Sequence, residues 1–294
     1  MAQASIPVDL YNPGQVFACM GFLEAADVLL GPGEGGFDWD KGTQPCFELL
    51  ADGANRNAFE EVLEFLVHAQ LYRLAPKGYT EPPRTAKRKK KGEARDPTAE
   101  VPLMVLPTFP ARSADRLALP LRFERDGRRL DMTHWCDGSS RNSFKLFAGQ
   151  QNSVGIGLQM LQAIKDLWAA RREELVADPL GLSVPLGGSS FKLDARKSWT
   201  AIDAGYPPDE QDHEVVASPV VELLGGLGLE HARPDEFEKR QVRYGVWKGL
   251  LPPVLARAAL AGIFVAVPLR VFRFTLDRSG QNKVVTFAQE EVSV

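Results

Sequence analysis

Cysteine is scarce in this 294-residue chain: Cys19, Cys46 and Cys136 stand far apart and odd in number. That excludes a disulfide framework and a zinc cage of paired cysteines, and it suits a reducing cytoplasm. No run of 18 apolar residues occurs. The most apolar stretch, around Val254–Val267, is interrupted by Arg257 and Pro268, so no membrane-spanning helix is expected. The first residues lack a basic start and an apolar core, so no secretory signal is expected either. Four histidines, His68, His134, His213 and His231, show no metal-ligand spacing. Walker, GxSxG and HExxH motifs are all missing. The His134-Cys136 pair has no second pair near it. Asp38 and Asp40 flank Trp39 as ordinary surface carboxylates. Gly31–Gly36 lacks the Lys-Ser/Thr that a phosphate loop needs and reads as a helix-ending loop. No catalytic group, metal or cofactor is expected.

Charge is present but uneven. The net charge is −3. Residues 84–95 hold seven basic residues against one acid; without them, 28 basic and 37 acidic residues leave −9. A mildly acidic body with a concentrated basic tether suggests contact with a polyanion, although a solvated loop has the same composition. Pro76–Val101 is poor in apolar residues and reads as a mobile loop that cannot bury enough surface to offset its ordering entropy. Lys87, Arg88, Lys89, Lys90 and Lys91 are its candidate nucleic-acid contacts.

The remaining pattern alternates irregularly between helix and strand. Helices are expected over 15–30, over 58–72 with Asn57 as cap, from Asn152 or Ser153 to Leu175, and over 218–227 and 254–261. Glycines 155 and 157 weaken the first turn of the longest helix and permit close backbone approach. Hairpins are expected at 36–50, around Arg125-Asp126-Gly127-Arg128, and between 264–276 and 283–287. Ser143–Phe147 and Ser190–Asp194 read as further extended pieces. These features give an α+β class: antiparallel sheets with hairpins, packed by several helices, with one mobile basic loop. The expected divisions are an N-terminal helical and hairpin region (1–83), the basic loop (84–100) and an α+β body (101–294). Whether the first and last of these form one continuous domain is left open by the pattern.

Three segments combine cations with polar or aromatic residues. Residues 135–151 carry Arg141, Asn142 and Lys145, able to meet phosphates or base edges. Residues 187–199 carry Lys192, Arg196 and Lys197 among Gly and Ser, which let backbone amides approach an anion. Residues 239–248, KRQVRYGVWK, interleave Arg243 and Lys248 with Tyr244 and Trp247, a pattern suited to phosphate pairing and base stacking. In each, the competing reading is core aromatics with solvated charges. The tetrapeptide SFKL also occurs twice, at 143–146 and 190–193. Four residues do not establish a repeat.

IPVDLYNPGQVFACMGFLEAADVLLG with GGFDWD after it, THWCDGSSRNSFKLFAGQQ, SSFKLDARKSWTAIDAGY, and the tail from Tyr244 through VPLRVFRFTLDRSGQNKVVTF resemble one family. It is the small Cas-eight-class, large-subunit-like protein of type I-U (I-G) CRISPR Cascade systems, and the resemblance runs over nearly the whole chain. It implies a non-catalytic subunit of an antiviral interference complex. Its partners would be CRISPR RNA, target double-stranded DNA, other Cascade subunits and a recruited helicase-nuclease, in the cytoplasm and away from membranes. Base pairing would read the long sequence while protein reads shape, phosphates and a short duplex signal. No family residue list is carried over; the candidate residues are those named above. Two alternatives remain open: an RRM-like backbone subunit gripping guide RNA, and a protein–protein scaffold that touches no nucleic acid.

Overall fold

The apolar run Pro13–Leu30 becomes α1, apolar on all sides as a helix must be when protein surrounds it. It is long and apolar enough to cross a membrane by length and composition, but 83% of it is buried inside the fold. The structure is a computed structural model. It describes residues 2–291 except 41, 82–96, 111–113, 137–142, 187–188, 198–215 and 280.

Before α1 comes strand β1 (Ala2–Pro7); after it follow β2 (Gly33–Asp38), β3 (Cys46–Ala51), α2 (Ala58–His68), β4 (Gln70–Pro76), β5 (Leu103–Leu106), β6 (Leu121–Arg125) and β7 (Arg128–Met132). Next are α3 (Ser153–Ala177), β8 (Val184–Pro185), β9 (Val216–Ala217), α4 (Pro219–His231), β10 (Asp235–Glu238) and β11 (Gln241–Trp247). The described chain ends with α5 (Pro253–Leu260), β12 (Leu269–Ser279), β13 (Asn282–Val285) and β14 (Gln289–Glu290). The fold is α+β. One sheet runs β1-β3-β2, a second β5-β4-β6-β7, and a third β10-β11-β12-β13 with β14 beside β12. All pairings between these strands are antiparallel except β4–β5. A single buried apolar cluster extends from Ile6 to Ala288 and so includes both the N-terminal region and the body.

Local chemistry accounts for most boundaries. Asn57 caps α2 by accepting from the amides of Phe59 and Glu60. Asn152 caps α3 through Gly155, and Ser218 caps α4 through Val221. Asp126 and Gly127 take φ of 51° and 76°, the left-handed pair that a two-residue hairpin turn between β6 and β7 requires.

The centre of the molecule is the crossing of α1 and α4. A Cβ on Gly21 would lie 2.0 Å from the carbonyl oxygen of Leu224, and one on Gly228 would lie 2.1 Å from that of Phe17. Both obstacles are backbone and cannot swing aside. Gly21→Ala is therefore expected to cost roughly 2–3 kcal/mol by overpacking, read from urea unfolding. A change within 0.5 kcal/mol, roughly the scatter of surface substitutions, would show slack in the crossing.

Several expectations change. The second helix stops at His68, not Tyr72, because Gln70–Arg73 pair with β6 and extend as β4. Gly33–Gly36 do not form a loop; they start β2, where the missing Cβ of Gly36 admits the Gly249 carbonyl. The last long strand begins at Leu269, after Pro268, rather than at Phe264. Ser143–Phe147 and Ser190–Asp194 form no ladder strand. In the second of these, Lys192 takes φ 65° and breaks the extended run.

Candidate nucleic-acid interface

Residues 190–197 are pinned by one buried carboxylate. Asp194 accepts hydrogen bonds from Asn12 Nδ2 (2.9 Å), the Ser218 amide (2.9 Å) and its neighbour Arg196 through the amide (3.1 Å), Nε (3.0 Å) and Nη2 (2.6 Å). Arg196 spends further donors on the carbonyls of Leu180 (2.7 Å) and Gly181 (3.0 Å). The expected phosphate ligand Arg196 is thus an internal ion pair that ties the start of α1, the start of α4 and the 180–181 turn together. Its charge is already met.

Glu222, in the first turn of α4, accepts from the Asp194 amide through Oε1 at 3.0 Å. Its Oε2 is buried and has no hydrogen-bond partner. Burial pushes its carboxyl up to about 7, with the Asp194 carboxylate adding to the rise and the Asp194 amide, Lys197 and Lys192 opposing it. Lys197 donates to the Leu186 carbonyl at 2.7 Å. Its half-buried amine is pulled down to about 8, by burial first and then by the charge of Lys192.

The two SFKL copies meet at one strand. The Lys283 amide donates to the Leu146 carbonyl at 3.0 Å, and the Val285 amide donates to the Lys192 carbonyl at 3.2 Å. The two copies therefore occupy consecutive outward amides of β13, about 7 Å apart at the usual strand rise. Phe144, Leu146, Phe191 and Leu193 are buried while Lys145 and Lys192 remain partly exposed. Trp135 stacks on Phe191 of the second copy (centroids 5.2 Å) and lies edge-on to Phe147, the residue after the first copy (5.7 Å). Phe, Lys and Leu of the two copies share a burial pattern and a docking edge, though neither copy is a strand.

Further cations gather at this edge. Lys283 Nζ donates to the Ser143 carbonyl at 3.0 Å. Burial lowers its pKa first, Arg240 and Arg278 lower it further, and Glu236 opposes them. Arg278 faces Lys283 across the β12–β13 pair. Arg278 and Lys283 escaped the sequence reading, which took residues 277–282 as an ordinary hairpin loop; their only signal was one cation within it and one just after it. Lys145 forms a 3.3 Å pair with the half-exposed Asp115 and lies 5.7 Å from the centre of the Phe147 ring. An exposed pair of this kind is worth little and is easily exchanged for another anion.

The third segment does not join them. Residues 241–247 form β11, and both aromatics are core: Tyr244 Oη donates to the Leu10 carbonyl at 2.7 Å and Trp247 Nε1 to the Gly35 carbonyl at 2.9 Å. Neither can stack on a base. Arg243 is paired with Glu291 at 2.8 Å and lies over Phe237, and Lys248 is paired with Asp40. Lys87, Arg88, Lys89, Lys90, Lys91, Arg141 and Asn142 lie outside the described residues. Cys136 is buried with its Sγ 3.2 Å from the Ala118 carbonyl. Among the described residues no group of His, Cys, Asp or Glu is placed to hold a metal ion. No family model, no curated protein and no solved structure matches the chain.

Proposed function

We propose that this chain is a non-catalytic, cytoplasmic nucleic-acid-binding subunit of a CRISPR interference complex of type I-U/I-G, helping to hold guide RNA and recognise target DNA. The observation that carries the reading is the convergence of both SFKL copies on β13, which brings Lys145 and Lys192 to an edge shared with Lys283 and Arg278. In a body whose net charge outside residues 84–95 is −9, such a gathering of cations is unexpected unless something anionic meets it. The segmental resemblance supplies the kind of complex. Other Cascade subunits and a helicase-nuclease would be the protein partners.

The test is the salt dependence of binding to a labelled 20-nucleotide RNA, a single-stranded DNA and a duplex. Lys145→Gln with Lys192→Gln is expected to weaken binding. It should also flatten the slope of log affinity against log salt, by about 0.7 for each single-strand phosphate that the variant no longer neutralises. Neutralising Lys87–Lys91 is expected to flatten it further. An unchanged slope in the first variant removes the β13 edge from the interface. An unchanged slope in the second removes the loop.

A second reading, a protein scaffold without nucleic-acid contact, draws on the apolar side chains on and just after α5: Val254, Leu255, Ile263 and Phe264 are exposed, Phe264 by 78%. Failure of the wild-type chain to bind any of the three nucleic acids at low salt would favour it.

A further inference from the structure

Glu222 has no exposed surface and one oxygen without a donor. A carboxylate in that position must be neutral or lean on nearby charge. Among the described residues, the charged groups that act on it are Asp194, Lys192 and Lys197, all from the 190–197 segment. Asn12 ahead of α1 and Ser218 ahead of α4 are neutral; the Asn12 side-chain nitrogen and the Ser218 backbone amide donate to Asp194, while the Ser218 hydroxyl donates to the Pro179 carbonyl. Arg196 is taken up by Asp194 as well. Among the described residues, Asp194 therefore has its counter-charge in Arg196, and the cations acting on Glu222 are the two lysines. Neither lysine forms a salt bridge among the described residues. Lys192 is also held at φ 65°, a left-handed backbone that a non-glycine residue adopts only at a cost. That strain is maintained by the Val285 amide on its carbonyl, and strained residues of this kind concentrate at binding sites.

We propose that Glu222 is an internal counter-charge competing with nucleic-acid phosphate for Lys192 and Lys197, so that polyanion binding at the β13 edge takes up a proton. The inference rests on the nucleic-acid-binding function proposed for this edge and adds a regulation to the same site. With Glu222 ionised, both amines are partly satisfied from within and a phosphate gains less by meeting them. When a phosphate arrives, its negative charge disfavours the carboxylate and Glu222 takes a proton from solvent. Glu222 is a positioning residue: it reaches the ligand only through the lysines. Lys197 titrates near 8 and keeps about three quarters of its charge at pH 7.5, so most of the change between pH 6.0 and 7.5 belongs to the carboxyl.

The experiment measures fluorescence anisotropy of a rhodamine-labelled 20-nucleotide oligouridylate with the full chain at constant ionic strength. Wild-type affinity is expected to fall about two- to fourfold from pH 6.0 to 7.5, as far as one carboxyl titrating near 7 can carry it. Glu222→Gln keeps an acceptor for the Asp194 amide. It is expected to bind about as the wild type does at pH 6.0, about two- to fourfold tighter than the wild type at pH 7.5, and with a change of less than about 1.5-fold across the window. Adding Lys192→Gln should remove most of that gain, which a merely structural effect of Glu222→Gln would not do; thermal melts at both pH values check the fold. A Glu222→Gln profile parallel to that of the wild type overturns the inference and leaves the proposed function standing. A gain that survives the loss of Lys192 in full also overturns it. A wild-type chain that binds neither RNA nor DNA at either pH overturns the proposed function, and this inference falls with it.

Discussion

Asp194→Ala is expected to destabilise the chain by about 3–5 kcal/mol, the usual cost of removing one partner from a buried ion pair. The carboxylate lies in the interior and accepts from Asn12, Ser218 and three nitrogens of Arg196. Without it, the Arg196 guanidinium keeps its carbonyl partners but loses its counter-charge. The Ser218 amide and the Asn12 side chain are left buried without acceptors, each a further penalty of about 1–3 kcal/mol if unrelieved. Asp194→Asn retains acceptor capacity for the Ser218 amide while still stranding the guanidinium charge, so it should fall between the wild type and alanine. Equilibrium urea unfolding with constant slope measures both. A loss below 1 kcal/mol, roughly the value of an exposed pair, would mean that the 190–197 segment is not held by this carboxylate. The proposed function would suffer with it, since the same node sets the position of Lys192 and Lys197.

The second large effect concerns pH. His134 is buried, and burial followed by the charge of Arg233 depresses its pKa from 6.5 to about 3. The folded state keeps the ring neutral while the unfolded chain gains a proton below pH 6.5. Stability is therefore lost as pH falls from 6.5 toward 3, by up to about 5 kcal/mol at 1.36 kcal/mol per unit. Glu222 acts in the opposite direction. Its carboxyl is raised from 4.5 to about 7, so the folded state holds the proton more tightly. Its contribution is complete below pH 4.5 and is lost as pH rises through 7, by about 3 kcal/mol. Between pH 4.5 and 6.5 the two slopes oppose and nearly cancel, and the contribution of the pair is flat there. Glu222→Gln should uncover the His134 slope. Its stability relative to wild type is expected to climb by about 3 kcal/mol from pH 4 to pH 8. His134→Gln should uncover the other slope, its stability falling as pH rises across the same interval. Difference curves from denaturant titrations in matched buffers would reveal both. A level difference for Glu222→Gln would place that carboxyl in its ordinary range.

Much of the local structure was legible in the residues because it depends on neighbours a few positions apart. Asn57, Asn152 and Ser218 cap the helices they precede, and Asp126-Gly127 supplies the turn between β6 and β7. Helical periodicity and β-branched runs gave the α+β class for the same reason. The order of residues also settled where positive charge is concentrated and that Lys and Ser would recur in two SFKL copies. Which of those charges can meet a ligand was set by long-range packing. Arg196 looked identical to Lys192 in a string of letters, yet Asp194 claims the first and strand β13 holds out the second, because a partner's identity depends on elements far apart in sequence. Tyr244 and Trp247 likewise matched a stacking pattern until β11 turned them into the core. The buried carboxyl of Glu222 has no local signature at all: its environment is made by α4 packing on the 190–197 segment, and desolvation is a property of the assembled interior.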